Sequence, residues 1–149
     1  MEQVILAAGW IGIFAPMALG AIGSVIGCAR AGQAACGALL ETEGGHGRYI
    51  GLSAMPSSQV IYGIVVMLSL NRAVSVATAP GLFAIGVLTG LALMICSMYQ
   101  GDCCASAINV SKNKPEIFGL SIAPAAIVEG FAVFAFVFAL VLSAGIPAS

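Results

Sequence analysis

Pro124-Ala125-Ala126-Ile127-Val128-Glu129-Gly130-Phe131-Ala132-Val133-Phe134-Ala135-Phe136 sets one carboxylate in a segment, 117–145, that is otherwise almost wholly apolar. An ionised carboxylate at the centre of a bilayer costs from about 3 to above 10 kcal/mol, depending on how insertion is measured. A chain that keeps Glu129 there needs something to neutralise it when it faces lipid. A lone acid at this depth marks a site that binds or moves a positively charged species.

Outward from that segment the composition agrees. Of 149 residues 60% are hydrophobic and 7% charged, with a mean hydropathy of +1.09. Soluble domains carry about 25% charged residues, so this chain belongs in a bilayer. Its net charge of −1 lacks the basic footprint that a nucleic-acid partner requires. The first apolar segment has Glu2 and no Lys or Arg before Arg30, whereas a cleaved signal begins with a basic region. It therefore reads as a retained membrane helix. No phosphate-binding loop is present, so ATP hydrolysis is not expected of this chain, and no cofactor is implied.

Four apolar stretches, 4–40, 50–70, 81–111 and 117–145, each supply the roughly 20 residues that cross a bilayer. The breaks are Glu41-Thr42-Glu43-Gly44-Gly45-His46-Gly47-Arg48, then Asn71-Arg72 through Pro80-Gly81, then Lys112-Asn113-Lys114-Pro115-Glu116. The expected fold is an all-α membrane protein, a single domain over 1–149, built as two fused antiparallel hairpins, 4–72 and 81–145. The first and third stretches exceed what a bilayer needs and should project on the side of the 41–48 and 112–116 loops. Arg48, Lys112 and Lys114 lie in those loops and only Arg72 on the other side, so the positive-inside rule puts the loops in the cytoplasm and both termini outside.

An internal repeat explains the hairpins. Gly32-Gln33-Ala34-Ala35-Cys36-Gly37-Ala38-Leu39 parallels Gly101-Asp102-Cys103-Cys104-Ala105-Ser106-Ala107-Ile108, and Ile50-Gly51-Leu52-Ser53-Ala54-Met55-Pro56 parallels Phe118-Gly119-Leu120-Ser121-Ile122-Ala123-Pro124. Duplication and fusion of one hairpin accounts for both. Gly20, Gly23, Gly27 and Gly32 let the first helix pack closely, so it and its repeat, the third, form an inner layer. Phe131, Phe134, Phe136 and Phe138 give the fourth the bulk of an outer wall. The cysteines (Cys28, Cys36, Cys96, Cys103, Cys104) show no metal-site spacing and read as packing side chains, and His46 as a solvated loop residue.

Depth can be counted from the loops. Glu129 lies about as far past Lys114 as Gln59 lies past Gly45 and as Gln100 lies before Lys114. In antiparallel helices equal counts mean equal depth, roughly 20 Å from the loop centres at about 1.5 Å per residue. Ser58 and Tyr62, and Gln59 and Tyr62, are helix-surface neighbours at four- and three-residue spacing. Pro56 removes a helical hydrogen bond and loosens nearby carbonyls. A polar side chain in a bundle often does no more than bond its neighbouring helix. Three at one level, one of them a carboxylate, make a site. Glu129, Gln59, Gln100, Ser58 and a backbone carbonyl would supply oxygens for a hard cation, and a single carboxylate favours a monovalent one, with sodium the natural candidate. Arg30 and Asp102 fall at similar counts on the first and third segments and are expected to pair on the inner layer, within a protomer or between neighbours, as a secondary polar position.

Pro56-Ser57-Ser58-Gln59-Val60-Ile61-Tyr62-Gly63, Gln100-Gly101, Lys112-Asn113-Lys114-Pro115-Glu116 and Ala125-Ala126-Ile127-Val128-Glu129 resemble the duplicated rotor-ring proteolipid of V-type ATPases, most closely its sodium-translocating bacterial branch. The resemblance spans nearly the whole chain. It implies a homo-oligomeric ring in the cell membrane, surrounded by lipid, turning against a stator subunit that bears an arginine, with a central-stalk subunit on the cytoplasmic loops. It also implies that Glu129, Gln59, Gln100, Ser58 and the Met55 carbonyl ligate Na⁺ while Tyr62 holds the carboxylate. Ser58 stands where that branch typically has threonine, which keeps the hydroxyl. A proton-translocating ring and a dimeric four-helix exporter of cationic drugs are the alternatives. The repeat and the glycine-rich inner helix favour a ring.

Overall fold

The computed structural model describes residues 1–147; residues 148 and 149, the end of the expected domain, lie outside it. Among the described residues there are helices and no strands. The first span is α1 (Glu2–Glu41). The second joins α2 (His46–Ala54), a 3-10 turn (Met55–Ser57) and α3 (Ser58–Leu70). The third is α4 (Ala79–Asn113), and the fourth joins a 3-10 turn (Pro115–Ile117), α5 (Phe118–Ser121) and α6 (Ala123–Ser143). All four spans are long and apolar enough to cross a membrane. The 40 residues of α1 and 35 of α4 run about 60 and 52 Å at roughly 1.5 Å per residue, well past a hydrocarbon core of about 30 Å.

The loop boundaries differ from expectation: α4 runs to Asn113 and a 3-10 turn starts at Pro115, which leaves only Lys114 of the expected 112–116 break. The chain is helical again from His46, so the first loop is only Thr42–Gly45. Gly45 makes this possible, because its φ of 74° lies in the left-handed region that only glycine occupies without strain. His46 is exposed, as expected, and its ring Nε2 lies 2.8 Å from the Thr42 carbonyl oxygen.

Spans two and four break at equivalent places in the repeat. Pro56 has no N–H, and the Leu52 carbonyl accepts instead from the N–H of Met55. In the other half Pro124 opens α6 just past the end of α5. Serine hydroxyls cover carbonyls beside both breaks: Ser53 donates to Ile50 O at 2.8 Å, and its repeat partner Ser121 to Phe118 O at 2.7 Å. Irregular backbone at membrane depth survives where such groups re-satisfy it.

α1 and α4 form the most extensive helix pair; α3 packs on both, and α6 on α4 and α3. Glycine sets the approach of α1 and α4. A Cβ on Gly86 would run into the Gly12 carbonyl, which is also the carbonyl that Pro16 leaves without its helical N–H donor. A Cβ on Gly101 would run into the Gly27 backbone in the same way. Two apolar clusters fill the bundle. Ala31, Ala35, Tyr49, Cys104 and Ile108 lie toward the loops, and Ile13, Val66, Leu70, Leu82 and Ile146 toward the termini. The buried polar residues Gln59, Ser97 and Gln100 sit between them along the chain. On α6, Phe131, Phe134 and Phe138 are exposed on the outside of the protomer.

At the terminal end Arg72 ties the two halves together. Its Nη2 donates to Ser69 O and its Nη1 to Ile146 O, both at 3.1 Å, so one guanidinium closes the last carbonyls of α3 and the tail after α6. Arg72→Ala leaves both carbonyls without that donor. The expected loss is about 1–3 kcal/mol, two charge-assisted bonds partly replaced by water. Thermal unfolding of the solubilised protein should fall by several degrees.

Candidate cation-binding site

Three spans deliver the side chains that depth along the chain groups together. α3 begins at Ser58 directly after the 3-10 turn, so Ser58 and Gln59 sit in its first turn and Tyr62 one turn on. α4 brings Gln100 and α6 brings Glu129. Gln59 and Gln100 are both fully buried, at 0% exposure, and Glu129 is half-buried beside them.

The carboxylate gathers four hydrogen bonds. Its Oε2 accepts from Ser58 Oγ at 2.9 Å, Gln59 Nε2 at 2.9 Å and Gln100 Nε2 at 2.6 Å. Its Oε1 accepts from the Tyr62 hydroxyl at 2.6 Å. Gln59 Nε2 also donates to Gln100 Oε1 at 2.9 Å, which joins the two amides across α3 and α4. Every donor here is uncharged. The salt bridges formed among the described residues are Arg30–Asp102 and Lys112–Glu41, and Glu129 belongs to neither.

Ser58 is over-subscribed, which exposes the chemistry of the cluster. Its single hydroxyl proton faces three oxygens: Glu129 Oε2, Met55 O at 3.1 Å and Gln59 Oε1 at 3.2 Å. One proton serves one of them at a time. The charged carboxylate is the nearest and the strongest acceptor, so the hydroxyl donates its hydrogen bond there. Ser58 Oγ, Met55 O, Gln59 Oε1 and Glu129 Oε2 then form a close group of oxygens with more lone pairs than protons. Such a group suits a hard cation. Met55 thus reaches the cluster through Ser58, its carbonyl also accepting the Ser58 N–H within the turn.

Arg30 and Asp102 pair within one protomer, Arg30 Nη1 lying 2.8 Å from one carboxylate oxygen and 3.1 Å from the other. The pair bridges α1 and α4 and makes no hydrogen bond to the Glu129 cluster. Side chains that are 43% and 46% exposed give a pair of small energetic weight. Phe136 departs from expectation. It turns inward while the other three phenylalanines of α6 stay exposed, and its ring stacks on Tyr62 with centroids 5.1 Å apart. At seven residues past Glu129, two helical turns, it lies on the face of α6 that Glu129 uses. The Lys112–Glu41 bridge at 2.8 Å, between the loop ends of α4 and α1, has no counterpart among the expectations from sequence.

Against known families, the model for the c-subunit of ATP synthase matches twice, over residues 11–70 and 83–142, once for each hairpin. The chain belongs to the ATP synthase c-subunit family. No curated protein matches it. Proteins of the c-subunit family are non-catalytic, ion-translocating rotor subunits that assemble as homo-oligomeric rings against a stator. This one is a duplicated proteolipid, with both copies of the family hairpin in one chain. Of the two copies only the second keeps a membrane carboxylate. At the position equivalent to Glu129 the first has Ile61, 57% exposed on α3.

Proposed function

We propose that this duplicated c-subunit protomer carries one Na⁺ at Glu129 in the rotor ring of a V-type ATPase of the bacterial sodium-pumping kind. The observation that carries the reading is the Glu129 carboxylate, held by four uncharged donors and matched by no fixed cation among the described residues. A mobile cation completes the charge. One carboxylate balances one positive charge, and the surrounding serine, amide and carbonyl oxygens add ligands that a proton would not need.

In the proposed cycle a cation enters from one side through a half-channel at the stator and neutralises Glu129. The neutral site then passes through lipid, where a bare charge is unfavourable. On return, the stator arginine competes for the carboxylate and releases the ion to the other side. With Ile61 in the first hairpin, each four-helix protomer carries one ion. Fewer ions per turn give each more free energy from ATP, which favours pumping over synthesis. Arg48, Lys112 and Lys114 at one end against Arg72 at the other support cytoplasmic loops, docked on a central-stalk subunit, in the cell membrane.

Carbodiimide labelling of Glu129 in the purified ring tests this. Sodium should protect, and potassium should not, across a range of pH. Labelling that follows pH alone, indifferent to sodium, makes the ring a proton carrier. A native mass that gives a dimer removes the ring.

A further inference from the structure

The 3-10 turn Met55–Ser57 ends one residue before Ser58 and two before Gln59, so the aim of both side chains depends on how that turn is held. Most of its backbone is satisfied from within span two. Leu52 O accepts the Met55 N–H, Ala54 O accepts Ser57 Oγ at 2.7 Å, and Met55 O accepts the Ser58 N–H. The Pro56 carbonyl is different. It accepts from the hydroxyl of Ser97, on α4, at 2.7 Å, and this is the hydrogen bond that ties the turn to another helix among the described residues.

The bland account of Ser97 is a buried hydroxyl that has found an acceptor. Its neighbours in kind argue against that. Ser111 on the same helix, equally buried, donates to Ile108 O three residues back, and Ser143 does the same to Leu140 O. Ser97 has the Met94 carbonyl at that distance and crosses to span two instead. It also stands one turn before Gln100 on the same face of α4. One rigid stretch of α4 therefore holds the turn at one level and supplies Gln100, bonded to both Gln59 and Glu129, at the next. Gly27 of α1 closes the arrangement from behind. A Cβ there would meet the Ser97 carbonyl and would come within 2.7 Å of Pro56 Cβ. The turn is wedged between α1 and α4, with the Ser97 hydroxyl on its Pro56 carbonyl.

We infer that Ser97 is a positioning residue of the cation site, fixing the Pro56 turn so that the Met55 carbonyl, Ser58 and Gln59 face Gln100 and Glu129 at cation-binding distance. The inference rests on the sodium reading of that site. Its consequence is that a residue outside the ligand set controls both affinity and the choice among monovalent cations, since a turn free to rock no longer imposes one cavity size.

The test is cation-protected carbodiimide labelling of Glu129 in the assembled ring, titrated separately with Na⁺ and Li⁺. Ser97→Ala should assemble at unchanged mass, need about tenfold more Na⁺ for half-protection (the scale of one net hydrogen bond), and move the Na⁺/Li⁺ ratio toward one. Ser97→Cys, a weaker donor, should fall between, and Ser111→Ala should match the parent. Half-protection within twofold of the parent and an unmoved ratio in Ser97→Ala overturn the inference. Should Ser97→Ala fail to assemble, Ser97→Cys decides alone, and a parental ratio there overturns it equally. If the parent ring itself shows no sodium protection, the sodium reading fails and takes this inference with it. Protection in the parent with unmoved variants sinks only the role of Ser97.

Discussion

Glu129→Gln should abolish ion-coupled transport while the ring still forms. The amide is nearly the same size as the carboxylate. Its carbonyl oxygen keeps the place of Oε2 before Ser58, Gln59 and Gln100, and its NH₂ meets a Tyr62 hydroxyl that can turn to accept. Packing therefore survives. The charge does not, and attraction between unit charges about 4 Å apart is worth about 4 kcal/mol at an effective dielectric near 20. That corresponds to roughly a thousandfold in cation affinity. ATP-driven ²²Na⁺ uptake into vesicles should drop to background, carbodiimide labelling should disappear, and native mass should be unchanged. Glu129→Asp keeps the charge but draws it back by one methylene, away from donors spread over α3 and α4, so it should retain weak, measurable uptake. Coupled uptake by Glu129→Gln above background would mean that another group carries the ion.

The grouping of Glu129 with Gln59 and Gln100 is legible because depth in a membrane hairpin is a count. Helical rise is constant and the loops mark a common origin, so residues far apart in sequence can be ranked by level. The Arg30–Asp102 pair is legible for the same reason. Direction around the helix is harder to read. The Pro56 turn resets the helical phase of span two, and nothing in the sequence says by how much. That is why the Met55 carbonyl comes from resemblance alone, and why its link through Ser58 Oγ needs coordinates. Phe136 escapes the sequence because four phenylalanines in one apolar segment look alike, and only the position of Tyr62 selects the inward one. Ser97 is illegible in a stronger sense. Serines at 53, 57, 69, 106, 111, 121 and 143 all bond carbonyls of their own span, and Ser97 carries no local mark that separates it from them. Sequence gives a hydroxyl its level, while its acceptor depends on which backbone the neighbouring helix has freed.

The second large effect is expected at Gly27. In sequence Gly20, Gly23, Gly27 and Gly32 form one run of small residues, yet the structure divides it. Cβ atoms on Gly20, Gly23 and Gly27 would meet backbone of span two or α4, whereas one on Gly32 meets nothing within 4 Å in the protomer. At Gly27 the obstacles are the Ser97 carbonyl and the ring of Pro56 together, and neither is a flexible side chain that can swing aside. Overpacking a core that can adjust costs about 1–3 kcal/mol. A core of backbone cannot adjust that way, so Gly27→Leu should exceed this range and cost the protein its folded protomer. Gly32→Leu should leave the four-helix protomer intact. Protease resistance of the membrane-inserted chain reads the protomer, and native mass reads the ring. If Gly32→Leu is resistant but does not assemble, the open face of α1 at half-buried Gly32 meets a neighbouring protomer; if it assembles, that face meets no protomer. Gly27→Leu that remains resistant and still binds sodium would mean that α1 can withdraw from the Pro56 turn at little cost, and the wedge that aims Ser58 and Gln59 would then lie with Ser97 and α4 alone.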